Sequence, residues 1–329
     1  MTPAPLFSVV ITTRNRPGLF SAALASVLMQ EQASFEVLVV DDGSSDALRA
    51  EYDAIEHRCA TEQRPVRFIH LKQTAAGHGP SHALNTGARQ ASGRYLCFLD
   101  DDDVWTEPGH LHRAKAILDE AGDQAELLMF DQAAFRGDVR LTEAVWLEAL
   151  GRRLRAAGPA PVAGSYPVNP DQLMTATGFC HVNTTVIEAG LFRRLRGQDE
   201  ALRYENDRDF YLRAIDQAAL ILYCPEVVAR HNVPEASRTI NASTRASPVY
   251  KAMCQFSLLN RAALTARHPA IRRHGREHRR YALQKAWVAC RRAADYRQVL
   301  VGVAAASRHA LLHRFGRMPP VNGSLLIHP

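Results

Sequence analysis

Between residues 7 and 100 one pattern recurs four times: a short apolar run, rich in β-branched residues, that stops at polar ones. FSVVITT (7–13), FEVLVVDD (35–42), VRFIHL (66–71) and RYLCFLD (94–100) are too short for buried helices and read as strands. Helical patterns fill the gaps. Over 17–30, Pro17 opens a helix in which Leu19, Phe20, Ala23, Leu24, Val27 and Leu28 recur on one face. A polar helix is expected over 46–60, and another over 79–93 that Gly93 closes. Strands alternating with helices predict a parallel sheet with right-handed crossovers. Ligands bind such sheets beyond the carboxyl ends of the strands. Thr12–Asn15, Asp41–Asp42 and Asp100–Asp103 are therefore expected to meet in one crevice.

The last of these groups is the most demanding. Tyr95, Leu96, Phe98 and Leu99 read as a strand buried on both faces, yet Asp100, Asp101, Asp102 and Asp103 follow directly. Like charges there repel one another and lose hydration. One such aspartate is an ordinary turn residue; four call for a partner. A calcium loop of the helix–loop–helix kind is excluded, because Val104 and Trp105 stand where oxygen ligands and glycine are needed. A hard dication shared with a phosphate fits, since Mg²⁺ or Mn²⁺ takes one or two carboxylates plus phosphate oxygens.

Beyond 105 the pattern loosens. A helix over 108–121, a strand over 125–135, a Pro/Gly loop over 158–170, a helix over 205–217 and a strand region over 219–232 are expected. From 248 the chain reads as helical, broken near Pro269. GHGPSH (77–82) is one residue short of a dinucleotide fingerprint and reads as a loop. Trp105 reads as core. Arg230 and Arg238 have the charge to meet a phosphate, but loop arginines are usually solvated.

FSVVITTRNRPGLFSAALASVLMQ, FEVLVVDDGSSD, GPSHALNTGARQASGRYLCFLDDDDVW and NDRDFYLRA, in that order, resemble the successive motifs of family 2 glycosyltransferases, the inverting GT-A group. The resemblance covers about residues 6–240. It implies an α/β GT-A fold with a mostly parallel central sheet flanked by helices. A nucleotide-sugar half (1–105) and an acceptor half (106–245) would form the transferase domain, followed by a basic helical region (246–329). It also implies a nucleotide-sugar donor, UDP-linked by preference, held with Mg²⁺ or Mn²⁺. Thr12, Thr13 and Arg14 then fall in the loop around the nucleoside, and Asp41 and Asp42 on the acidic pair that contacts the base. Asn85 matches the asparagine of the N-x-G helix segment. The DXD motif falls on Asp100, Asp101 and Asp102, with Asp100 facing ribose or metal, Asp102 ligating the metal and Asp103 behind them. Asp207 aligns with the catalytic base, with Glu205 taking that role if the register slips. His231 matches a histidine near the diphosphate or metal. The chemistry agrees with this assignment. The leaving diphosphate carries heavy negative charge that a metal stabilises, and an acceptor hydroxyl needs a general base.

Composition narrows the rest. The chain has 329 residues, 47% hydrophobic and 22% charged, as globular chains do, and no apolar run long enough for a membrane span. Its first residues lack the basic start and cleavage site of a signal peptide. Six scattered cysteines, with no CxxC or zinc spacing, read as reduced thiols. A cytoplasmic location follows as an expectation. Residues 261–317 hold fourteen Lys/Arg against Glu277 and Asp295, although the whole chain is only +6. Over 281–297, Leu283, Trp287, Cys290 and Ala294 lie on one face of a presumed basic helix. That helix suits either peripheral contact with the inner face of a membrane, bearing a lipid-linked or glycan acceptor, or a helical cap or homodimer surface. Two other readings stand beside transfer. A nucleotidyltransferase would need a Gly-rich phosphate loop after the first strand, which TTRNRPG does not supply. A nucleic-acid binder would need more stacking aromatics among the tail arginines.

Overall fold

The computed structural model describes residues 4–31, 33–142, 145–233 and 246–314. The first half follows the expected alternation: β1 (Phe7–Thr13), α1 (Pro17–Leu28), β2 (Phe35–Asp41), α2 (Asp46–Thr61), β3 (Val66–His70), α3 (Pro80–Gln90) and β4 (Tyr95–Asp100). These four strands are parallel, in the order β3-β2-β1-β4. Their register aligns the polar ends: Thr13 lies opposite Asp41, and Thr12 opposite Asp100. The side chains of β1 alternate between two apolar layers. Phe7, Val9 and Ile11 pack under α1 and α2, while Val10 packs under α3. Gly87 allows that second contact, because a Cβ there would stand 2.5 Å from Val10 Cγ1. This explains the glycine of the N-x-G segment by packing. Gly93 does not close α3, which ends at Gln90. A Cβ at Gly93 would lie 2.7 Å from the Phe7 carbonyl carbon, so that glycine serves a close backbone approach.

The second half extends the same sheet. β5 (Val104–Trp105), α4 (His110–Ala121), β6 (Ala125–Arg136), β7 (Val139–Arg140), α5 (Glu148–Ala157), β8 (Tyr166–Val168), α6 (Pro170–Met174), β9 (Thr185–Glu188), α7 (Ala189–Arg194), α8 (Asn206–Gln217) and β10 (Leu220–Asn232) follow. The order continues β4-β9-β6-β10-β5. β9, inserted antiparallel between β4 and β6, has no counterpart in the sequence reading. Only four residues long and preceded by polar ones, it is too short to show a period of its own. Trp105 is core, 5% exposed, and its Nε1 donates to the Asn183 carbonyl at 2.9 Å. All six cysteines are buried free thiols.

Three helices complete the described residues: α9 (Pro248–Thr265), α10 (Pro269–Ala289) and α11 (Ala293–Arg314). The break at Pro269 is as expected. A second break falls at 290–292, so the amphipathic helix expected over 281–297 does not exist. Asp295 causes the corner: its Oδ2 accepts the N–H groups of Arg291 (2.8 Å) and Arg292 (3.0 Å) and caps α11 instead. Ala282, Ala286 and Cys290 face inward, while Trp287 and Ala294 are exposed. These helices share one hydrophobic cluster with the sheet. Arg261, 4% exposed, reaches from α9 to Asp199 and to Asp209 on α8. Burial opposes the charge on Asp199, but Arg261 and His309 outweigh it and hold the carboxyl well below the usual range.

Removing one partner from such a buried network strands the other charges. Arg261→Ala is expected to lose about 3–5 kcal/mol of unfolding free energy. Chemical denaturation checks this, and a loss under about 1 kcal/mol would show the carboxylates to be well solvated without it.

Candidate active site

The turn after β4 is folded back by pairing: Val104 and Trp105 lie antiparallel to Arg230 and Ala229 of β10. That pairing brings Asp103 to His231 and Asn232. Asp103 is 1% exposed. Its carboxylate accepts from His231 Nδ1 (2.7 Å), from the Asn232 N–H (2.6 Å) and from Asn183 Nδ2. Asn183 Oδ1 also accepts the Asp100 N–H at 2.9 Å, locking the strand end. Asp101 is equally buried and is paired with Arg16, which also holds Asp102 Oδ2 at 2.8 Å. Desolvation raises Asp101 above the usual carboxylate range, with Arg16 opposing. Asp100 keeps 39% of its side-chain surface. Desolvation by the surrounding chain still pushes it up to about 6, and Asp102 and Asp103 add repulsion.

Two sets of ligand atoms share Asp103. Asp100, Asp102 and Asp103 form one and Asp103, His181 and His231 the other, each within 4.8 Å. Asp102 and His231, expected as joint metal ligands, thus belong to neighbouring sets bridged by Asp103. Hard oxygens with imidazole beside them suit Mg²⁺ or Mn²⁺. The fit is reinforced by the upward shift of Asp100, to which Asp102 and Asp103 contribute after burial and which a dication would relieve.

His181 joins this centre to Asp207. Its Nε2 lies 3.2 Å from Asp207 Oδ2 and 3.9 Å from Asp100 Oδ2. Asp207 sits in the first turn of α8, where the helix dipole favours an anion, and its Oδ1 accepts the Arg208 N–H. Burial disfavours the Asp207 charge, but His181 outweighs burial and keeps the carboxyl below its usual range. For His181, burial opposes protonation; the Asp207 hydrogen bond and charge, with Asp100 and Asp103, reverse this and raise it to about 9. The Asn183 N–H stands 3.3 Å from His181 Nδ1 and favours a neutral ring. That contact is long and worth about 1 kcal/mol, whereas a charge pair at 4 Å is worth about 4 kcal/mol near a protein surface. The imidazolium prevails. Glu205 turns elsewhere. It starts α8 in the left-handed region (φ 55°), accepts from Gln255 of α9 and lies 3.6 Å from Arg208. Burial raises its carboxyl.

A second group lies one strand over. Asp41 Oδ1 accepts the Ser44 N–H (2.9 Å), and its Oδ2 lies 3.4 Å from both His70 and Arg49. Asp42 accepts the N–H groups of His78 and Gly79, tying β2 to the loop before α3. Arg14 donates to the carbonyls of Thr74 and Ala75 on that loop. Thr13 shares a hydrogen bond with Tyr52 (2.8 Å), whose hydroxyl also accepts the Arg16 N–H. Thr12 lies beside them on β1. Arg16 therefore links the two groups. Asn85 stands apart: its amide is engaged with Gln198 and Glu200 on the loop before α8. Arg230 donates to the Gly137 carbonyl, lies over Phe135 and donates through Nε to Asn232 Oδ1 at 2.9 Å, so it supports the centre through Asn232. Arg238 lies outside the described residues.

Arg16, His181, Asn183 and Trp146 went unassigned in the sequence reading. Trp146 lies 5.3 Å, ring to ring, from both His181 and His231 and packs edge-on against them. The sequence offers one faint signal, the polar His181 and Asn183 set between apolar residues just before β9.

A mostly parallel sheet in this order, with acidic residues at its strand ends, matches the GT-A fold. TarS 1-349 of S. aureus in complex with UDP matches with a TM-score of 0.65, covering 97% of this chain and 83% of that one at 18% identity. The mannosyltransferase PcManGT from Pyrobaculum calidifontis, in complex with GDP-Man and Mn²⁺, matches with a TM-score of 0.58 over 95% of this chain and 88% of its own, at 17% identity. Residues 8–136 match the model of glycosyl transferase family 2. Among curated relatives is an Escherichia coli protein, UDP-Glc:alpha-D-GlcNAc-diphosphoundecaprenol beta-1,3-glucosyltransferase WfgD. It is 37% identical over 100 residues, 30% of this chain and 36% of that protein. The chain spans between 15% and 36% of the length of the first curated relatives it matches.

The His181 charge can be read directly. In metal-free protein its ring ¹⁵N signals are expected to show both nitrogens protonated at pH 7, titrating near pH 9. The sign for stability follows: the contribution is full below about pH 6.5 and is lost as pH rises through the folded value. A neutral ring at pH 7 would show the Asn183 contact to dominate.

Proposed function

We propose that this chain transfers a glycosyl group from a nucleoside-diphosphate sugar, UDP-linked by preference, to an acceptor hydroxyl with inversion. The observation that carries this reading is the convergence of Asp100, Asp102, Asp103, His181, His231 and Asp207 at the carboxyl end of one parallel sheet. The neighbouring group of Thr12, Thr13, Arg14, Asp41 and Asp42 is the nucleoside side of the site. Buried Asp41, one strand from the aspartate turn, is suited to fix donor groups beside β1. Asn85 acts through the 197–200 loop it holds.

Asp100, Asp102 and Asp103, with His231, would hold Mg²⁺ or Mn²⁺, which supplies charge stabilisation for the departing diphosphate. Arg16 already pairs with Asp101 and Asp102 and adds a fixed positive charge on the same side. Asp207 accepts the proton of the acceptor hydroxyl as its oxygen bonds to the anomeric carbon. The bond from that carbon to the diphosphate breaks, and the electron pair leaves with the diphosphate. Asp207 is favoured over Glu205 because His181 alone bridges it to Asp100, whereas Glu205 points to α9. His181 keeps Asp207 ionised and aimed.

By analogy with WfgD, a lipid-linked or glycan acceptor in cell-surface polysaccharide synthesis is proposed. Among the described residues no helix is long and apolar enough to cross a membrane. A cytoplasmic location, with the basic helices peripheral at the inner membrane face, is part of the proposal and suits a lipid-linked acceptor.

Asp102→Ala is expected to abolish transfer and metal-dependent donor hydrolysis; wild-type rates in Mn²⁺ would reject the metal role. Asp207→Asn is expected to retain UDP binding by calorimetry while lowering kcat by about 10²–10⁴. Loss of UDP binding with kcat preserved would reassign the residue. A panel of nucleotide sugars, scored by metal-dependent thermal stabilisation, identifies the donor.

A further inference from the structure

Away from the strand ends, the first residues of α9, the last turns of α10 and the start of α11 enclose an open cleft of about 900 Å³. That volume suits a substantial organic ligand. Lys285, Arg291 and Arg292 line it, and among the described residues Asp295 is its one acidic lining residue. Asp295 Oδ2 accepts the Arg291 and Arg292 N–H groups at the helix corner, and its Oδ1 lies 3.5 Å from the exposed Arg292 guanidinium. Three cations against one carboxylate leave the cleft cationic. Lys285 Nζ lies over the Tyr281 ring at 4.5 Å, and Arg291 is steadied by the Val288 and Cys290 carbonyls.

Tyr281 and Val288 line the cleft itself, and α10 and α11 carry further exposed apolar side chains. Tyr281, Val288, Tyr296, Leu300 and Val301 are exposed by 46–67%, and Trp287 by 37%. The Trp287 and Tyr296 rings are 5.8 Å apart, joining the two helices. Single exposed apolar residues are ordinary; a run of them with aromatics beside a basic cleft is not. Lys285 also favours the charge of Glu205, although burial dominates and raises that carboxyl.

We propose that this cleft seats the phosphate-bearing headgroup of a lipid-linked acceptor, with phosphate oxygens on Lys285, Arg291 and Arg292 and the lipid along Val288, Trp287, Tyr296 and Leu300. The inference deepens the glycosyl-transfer reading and rests on it for the acceptor role alone. Charge complementarity selects the occupant. A cationic rim excludes a basic partner, and fourteen Lys/Arg against two acidic residues over 261–317 reinforce it. The apolar flank distinguishes a lipid phosphate from a free one.

The test uses the full chain in EDTA, titrated by calorimetry with farnesyl diphosphate, inorganic diphosphate and farnesol. Farnesyl diphosphate is expected to bind, with either half alone at least about tenfold weaker. Lys285→Gln/Arg292→Gln and, separately, Val288→Asp are each expected to weaken farnesyl diphosphate by roughly tenfold or more, with the unfolding temperature unchanged. The proposal is overturned by inorganic diphosphate binding as tightly as farnesyl diphosphate, by wild-type affinity in both variants, or by no binding at all. Donor hydrolysis with Mn²⁺ in the same preparations separates the two readings. Hydrolysis with a silent cleft removes the cleft alone; a cleft that binds without hydrolysis removes the transferase reading alone.

Discussion

Four carboxylates stand at the end of a strand buried on both faces, and their mutual repulsion governs what surrounds them. Each is met by something different. Asp101 and Asp102 share the Arg16 guanidinium, Asp103 takes three hydrogen bonds, and Asp100 lies 3.9 Å from the His181 imidazole. The partners come from the first helix entry, the residues before β9 and the end of β10. Much of the second half of the fold can be read as the means by which those partners arrive. β5 and β10 pair to bring His231 and Asn232 to Asp103, while the turn before β9 supplies His181 and Asn183. A polar network of this kind is stable only when every member is satisfied.

The C-terminal helices belong to the same energetic unit. Arg261 places a buried cation between Asp199 and Asp209, and α8, which carries Asp207, is one of the elements it ties down. Basic character in this region therefore has two physical meanings. One arginine is structural and fully enclosed. Others, among them Lys285 and Arg292, stand at the surface with an apolar strip beside them.

The β/α alternation of the first hundred residues was legible, because short apolar runs and 3.6-residue periodicity are local properties. The aspartate turn and the acidic residues after β2 were legible for the same reason. The helix expected over 281–297 was not, because apolar spacing continues across the Asp295 corner while the backbone does not. Gly93 was misjudged as a helix end because close contact with the Phe7 backbone has no sequence signature.

By itself the sequence determined the parallel half-sheet, the position of its polar strand ends and the crowding of Asp100–Asp103. All of these follow from hydrophobic period and charge within a few residues. Only the tertiary structure decided which side chains answer that crowding. Arg16, His181, Asn183 and Trp146 lie far from the aspartates along the chain or carry no motif of their own. Arg16 arrives because β1 pairs with β4, and His181 and Asn183 because β9 is inserted between β4 and β6; long-range pairing of that kind leaves no local pattern to read.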